Sequence, residues 1–139
     1  MTRISLRGPR RRAEPVLTWL GGLGVPDTLW TGRAPAPDAL VLLPGRRALL
    51  TPRAPVIVAP GDRDADAPQV ITYGYGARDT LTYASLDASG SVLSLQREIV
   101  TLGGARLERQ DIPLGPAGAG GGGADGELAL ALAGALLIA

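Results

Sequence analysis

The chain of 139 residues contains no cysteine, no histidine, no lysine and no phenylalanine. Each absence removes a class of chemistry. Without Cys there is no disulfide, no thiolate nucleophile and no thiolate-ligated metal. Without His there is no Ser-His-Asp triad and no imidazole ligand for zinc. Without Lys there is no Schiff base and no P-loop lysine. Carboxylate chemistry, an assisted Ser, Thr or Tyr, or binding alone remain. No apolar run approaches the ~18–20 residues of a membrane-spanning helix. The opening "MTRISLRGPRRR" has no hydrophobic stretch behind its charges and does not read as a secretory signal. We therefore expect a cytoplasmic protein with no catalytic residue, no cofactor and no metal site.

Hydrophobic residues make up 45% of the chain, with two Trp and three Tyr as the whole aromatic complement, so the core must be built from Leu, Val, Ile and Ala. A chain of this length forms one domain and buries roughly two thirds of its unfolded surface. The Ala, Gly, Pro and Arg bias is that of a GC-rich genome, which leaves the choice of Arg over Lys with little functional meaning. Charge is uneven: Arg3, Arg7, Arg10, Arg11 and Arg12 fall in the first twelve residues, while the remainder holds nine Arg against thirteen acids. No aromatic residue lies among these arginines to stack on bases. Residues 1–12 therefore read as a basic, flexible arm, solvated rather than bound to nucleic acid.

From Glu14 to Gly24, "EPVLTWLGGLG" spaces its apolar residues for a short amphipathic helix. Pro15 would sit in its first turn, Trp19 would pack inward, and the glycines would end it. Three segments then repeat a theme: "APDALVLLPGR", "APVIVAPGDR" and "APQVITYGYGAR". Continuous apolar runs of four or five residues suit strands buried on both faces, as in a parallel sheet. The stretch "GRRALLTPR" between the first two has room for one turn of helix. After Asp79 the pattern alternates through "TLTYASL", "SVLSLQREIVTL" and "ARLERQDIPL", with turns at 87–90 and 103–104. This reads as a three-stranded antiparallel meander whose wet face carries Arg97, Glu98, Arg106, Glu108 and Arg109. Residues 115–126 have the composition of a flexible linker. Residues 127–139, "ELALALAGALLIA", form an apolar helix, with Asp125 as its N-cap, buried on its own sheet or against a partner. The expected class is α/β: a small, partly parallel sheet, then the antiparallel meander and the C-terminal helix, spread over 13–114 and 127–139.

Two motifs ask for a ligand. "YGYGARD" has Gly74-x-Gly76 after a strand, but position 79 is Asp where a dinucleotide fingerprint needs its third glycine, and β-formers follow. We read the glycines as the corner between two strands. Gly74, Gly76, Arg78 and Asp79 are nevertheless the candidate ligand-binding residues. "DRDAD" places Asp62, Asp64 and Asp66 at the opening spacing of a calcium loop, but Ala67 and Tyr73 stand where Gly and Glu are required. It reads as a solvated acidic loop.

The stretch from "VIVAPGDRDADAPQVITYGYGARDTLTYASL" through "LSLQREIVTL", with "IPLGPAG" and "LALALAGALLIA", resembles the latter part of the Mur ligase central domain. Val56–Asp62 resembles a buried strand with its acidic turn, Val70–Gly74 the following "vitYG" strand, and Ile112–Gly115 with Leu128–Ala139 the last strand and Ala-rich helix. The stretch is also similar to small bacterial proteins, of no assigned activity, that carry the same "YG…RDT…LQR" pattern. About half the chain is covered. The resemblance implies the α/β architecture and a link to cell-wall metabolism. It does not imply amide-bond synthesis, because the ligases' P-loop and lysine are absent and Glu127-Leu128 stands where their helix opens with His-Asn. Two readings follow: a non-catalytic Mur-ligase-like domain acting through protein or homo-oligomer contacts of its C-terminal helix, and a small-ligand or nucleotide-binding module using the Gly74–Asp79 corner.

Overall fold

Ile4, Ser5 and Leu6 lie inside the stretch that reads as a basic arm, yet each is at most 1% exposed. They belong to a strand, β1 (Thr2–Arg7), that pairs on both sides. Only one polar side chain is buried there, and Ser5 Oγ donates to Gly32 O at 3.3 Å. The N-terminus is therefore built into the sheet and is no flexible arm. The computed structural model describes residues 1–32, 35–45, 53–62, 65–87, 90–114 and 126–139. The expected helical turn in "GRRALLTPR", Asp64, the 88–89 turn residues, linker positions 115–125 and the Asp125 cap lie outside the described residues.

Helix α1 (Arg10–Gly22) follows at once and starts five residues before the proline expected to open it. Arg12 and Ala13 N–H both donate to Pro9 O, so the first turn forms from the arginines. Pro15 sits inside the helix, where it withholds one backbone donor. The buried stripe is Ala13, Val16 and Leu20. Trp19 lies one residue, about 100° of rotation, from Leu20, and it is 49% exposed instead of packed inward.

The remaining strands are β2 (Thr28–Thr31), β3 (Ala39–Leu42), β4 (Val56–Pro60), β5 (Gln69–Tyr73), β6 (Leu81–Asp87), β7 (Gly90–Leu95), β8 (Ile99–Val100), β9 (Arg106–Leu107) and β10 (Gln110–Leu114). Among the described residues one eight-stranded sheet runs in the order β10-β7-β6-β5-β4-β3-β1-β2. The span from β2 to β5 is parallel, and β6, β7 and β10 form the antiparallel part. The three apolar runs are β3, β4 and β5, and the α/β class with mixed pairing is as expected. The last meander strand is β10 alone, because β8 and β9 pair with each other in a separate small hairpin. Gln69 fixes that hairpin to the start of β5: its side chain donates to Val100 O at 2.8 Å and accepts from Val100 N–H at 2.9 Å.

Alternation sends β3 and β4 side chains to both faces. On one face Ile4, Leu6, Val41, Val58, Ile71 and Tyr73 join α1 and helix α2 (Gly126–Ile138) in the main core. Leu40, Leu42, Ile57 and Ala59 form a smaller cluster on the other. Helix α2 docks on its own sheet with Leu130, Ala131, Ala135 and Ile138 fully buried. At Gly134 the helix comes so close that a Cβ would stand 2.9 Å from Val58 Cγ1. Among the described residues no helix is long and apolar enough to cross a membrane.

Candidate functional site

The parallel strands end along one edge, and there β5 gives way to β6. The two are parallel but overlap by one register pair, Tyr73 with Leu81, so β6 begins where β5 stops. The chain between them, residues 74–80, is the corner expected from the sequence. Hydrogen bonds to β5, β6 and Gln96 hold it to its neighbours. Gly74 N–H donates to Leu81 O at 3.2 Å, Thr80 N–H to Thr72 Oγ1 at 3.1 Å, and Gln96 Nε2 to Asp79 O at 2.7 Å. Beneath it, the buried Tyr73 hydroxyl donates to Leu42 O at 2.6 Å, tying the ends of β5 and β3 together.

The glycines of this corner surround the carboxylate of Asp79. Asp79 Oδ2 accepts from Gly76 N–H at 2.9 Å, while Asp79 N–H donates back to Gly76 O at 3.1 Å. A Cβ at Gly74, whose φ is +155°, would stand 2.7 Å from Oδ2, and one at Gly76 would stand 3.1 Å from it. The third member comes from the end of β4: a Cβ at Gly61 would overlap Asp79 Oδ1. Gly76 is constrained by this approach, whereas Gly74 is constrained by both the approach and its backbone angle.

A phosphate cradle needs free N–H groups converging on one point. Here none is free. Gly61 N–H donates to Tyr73 O at 2.9 Å, Gly74 N–H to Leu81 O, and Gly76 N–H to Asp79 itself. The corner holds an internal carboxylate in the position an external anion would need.

Next to it opens a cleft of about 510 Å³, lined by the glycine loops and by Asp62, Tyr75, Arg78, Asp79 and Glu127. All four candidate residues, Gly74, Gly76, Arg78 and Asp79, meet here. The sequence reading did not bring Gly61, Asp62, Tyr75 or Glu127 to this site. Glu127 arrives on the first turn of α2, so a helix N-terminus does stand beside the corner. Gly126 seats that turn, because a Cβ there would run into the Tyr75 hydroxyl. Tyr83 Oη donates to Gly126 O at 2.9 Å, and the Tyr75 and Tyr83 rings stack at 6.0 Å. Among the described residues Asp62, Arg78, Asp79 and Glu127 form no ion pair. No group of three His, Cys, Asp or Glu among those residues gathers to hold a metal.

Burial, and secondarily the charge of Tyr75, push the Tyr83 phenol above its ordinary value of 10.0. The folded state thus holds this proton more tightly than the unfolded chain, so its contribution to stability is complete below about pH 10 and lost as pH rises beyond it. Unfolding midpoints in denaturant should fall across that alkaline range, and Tyr83→Phe should flatten the fall. An equally steep fall in the variant would assign the effect to other groups.

No family model, no curated protein and no solved structure matches the chain.

Proposed function

We propose that this chain is a non-catalytic module that binds a small ligand in the cleft between the carboxyl ends of β4 and β5 and the start of α2. One observation carries this reading: the cleft lies outside the carboxyl ends of parallel strands, where open α/β sheets take their ligands, and polar side chains from three separate parts of the chain line it. The donor inventory of the glycines argues against a nucleotide held by its phosphates. A cytoplasmic, bacterial protein with Mur-ligase-like ancestry and a link to cell-wall metabolism remains our proposal for its origin. The succession of β4, β5, meander and docked helix supports it.

The reading through protein or homo-oligomer contacts has less support. It depends on the apolar helix α2, whose leucines are buried or half-buried in the protein's own core. The exposed apolar side chains lie elsewhere, including Trp19, Leu23 and Leu29.

Titration of the full chain with a small-molecule fragment set, followed by amide chemical shifts, tests the proposal. Shifts clustered on Gly61, Gly74, Tyr75 and Gly76 are expected. Shifts that cluster only on another surface would overturn it. The same protein should neither hydrolyse ATP nor join an amino acid to a UDP-muramyl acceptor, and turnover of either kind above background would contradict the non-catalytic reading.

A further inference from the structure

We propose that the ligand of this cleft is a small organic cation, an alkylammonium or guanidinium compound. The inference rests on the ligand-binding reading above and adds the chemical class. Two features of the lining point the same way. The first is the balance of donors and acceptors. The glycine N–H groups at the cleft wall are consumed by Tyr73 O, Leu81 O and Asp79 Oδ2. The residues that line the cleft are acceptor-rich: Asp62, Asp79 and Glu127 bring three carboxylates against the single guanidinium of Arg78. With three carboxylates to one guanidinium, this lining favours a ligand that carries positive charge and donates hydrogen bonds over a phosphate or sulfate, even with the start of α2 beside it.

The second feature is the aromatic wall. Tyr75 is 56% exposed, with one ring face stacked on Tyr83, and it lines the same cleft. An exposed aromatic ring in a cleft wall attracts a cation electrostatically and shelters its methylene groups. The volume of about 510 Å³ is ample for a chain of several carbons. Asp79 serves the corner itself, so specificity falls to Asp62, Glu127 and Tyr75, which come from the β4–β5 loop, α2 and the β5–β6 corner.

The test is a titration of the full chain with putrescine and choline, beside inorganic phosphate, ADP and N-acetylglucosamine, read by amide shifts and calorimetry. The cations should move the Gly61, Gly74 and Gly76 amides, more weakly at high salt, and the anions should not. Asp62→Asn, Glu127→Gln and Tyr75→Ala should each lower putrescine affinity about two- to fivefold. Asp62 is exposed and makes no ion pair among the described residues, so Asp62→Asn should fold with an unchanged melting temperature and keeps the test decisive. Phosphate or the sugar moving these amides in place of the cations would sink the cation class and leave the ligand site standing. Cation binding indifferent to all three substitutions would also overturn the inference. If neither these probes nor the fragment set moves the corner, both readings fall.

Discussion

A single methyl group added at Gly61 is expected to destabilise the fold by about 1–3 kcal/mol, the usual cost of overpacking a filled site. Gly61 lies on the surface at the end of β4, where an alanine would ordinarily be neutral. The added Cβ would overlap Asp79 Oδ1. The Asp79 side chain is short, and its other oxygen is held by Gly76 N–H at 2.9 Å. It can retreat only by giving up that bond, which leaves the corner without its internal acceptor. Denaturant midpoints of Gly61→Ala and of Gly22→Ala, at a helical site with nothing within 4 Å of the new atom, provide the contrast. The second substitution should be neutral to stabilising, since alanine is the better helix former. Equal effects at the two sites would contradict this picture of the corner.

Removal of residues 115–139 should abolish cooperative folding. Leu130 and Ile138 are fully buried, and Leu128, Leu132, Leu136 and Leu137 pack against the same core while half-buried. Full burial of one such side chain is worth roughly 1.5–3 kcal/mol. Two full and four partial burials reach about 6–12 kcal/mol, within the ~5–15 kcal/mol that holds a whole domain together. The deletion also uncovers Val58 and Leu81, which lie against the helix at Gly134. Circular dichroism should show no sharp thermal transition in the truncated chain, and a dye for exposed apolar surface should bind it. A truncated protein with the parent melting point would show that α2 is a dispensable tail.

The strands and the site differ in how far the sequence exposes them. The strands β3, β4 and β5 are legible because burial on both faces demands continuous apolar runs, and "ALVL", "VIVA" and "VITY" have few other uses. The strand β1 is hidden by its composition. "TRISLR" offers a brief alternation flanked by arginines, and only Ile4, Ser5 and Leu6 need to be inside. Pro15 misplaces the start of α1, since proline favours a first turn but does not require one. Trp19 shows that a large apolar side chain at helical spacing still depends on which stripe meets the sheet. The stripe here is set by Ala13, Val16 and Leu20.

At the site, the corner itself is visible from Gly74 and Gly76 between two β patterns. What fills it is not. Gly61 lies eighteen positions before Asp79, and nothing in "PGD" announces that its missing side chain makes room for a distant carboxylate. Glu127 lies farther still, brought to the cleft only because α2 crosses back over β4 and β5. Glycines that accommodate another residue's side chain, and glycines that expose their N–H groups to a ligand, look the same in one dimension.

The most direct test of the central claim, that the glycine corner is built around Asp79, is a double-mutant cycle between Gly61→Ala and Asp79→Ala, read as unfolding free energies. Each single substitution should destabilise, Asp79→Ala by about 1 kcal/mol through the loss of its hydrogen bond with Gly76 N–H. In the Asp79→Ala background the new methyl at Gly61 has no carboxylate to displace, so its cost should largely vanish and the coupling should reach about 1 kcal/mol or more. Additive effects of the two substitutions would contradict the claim.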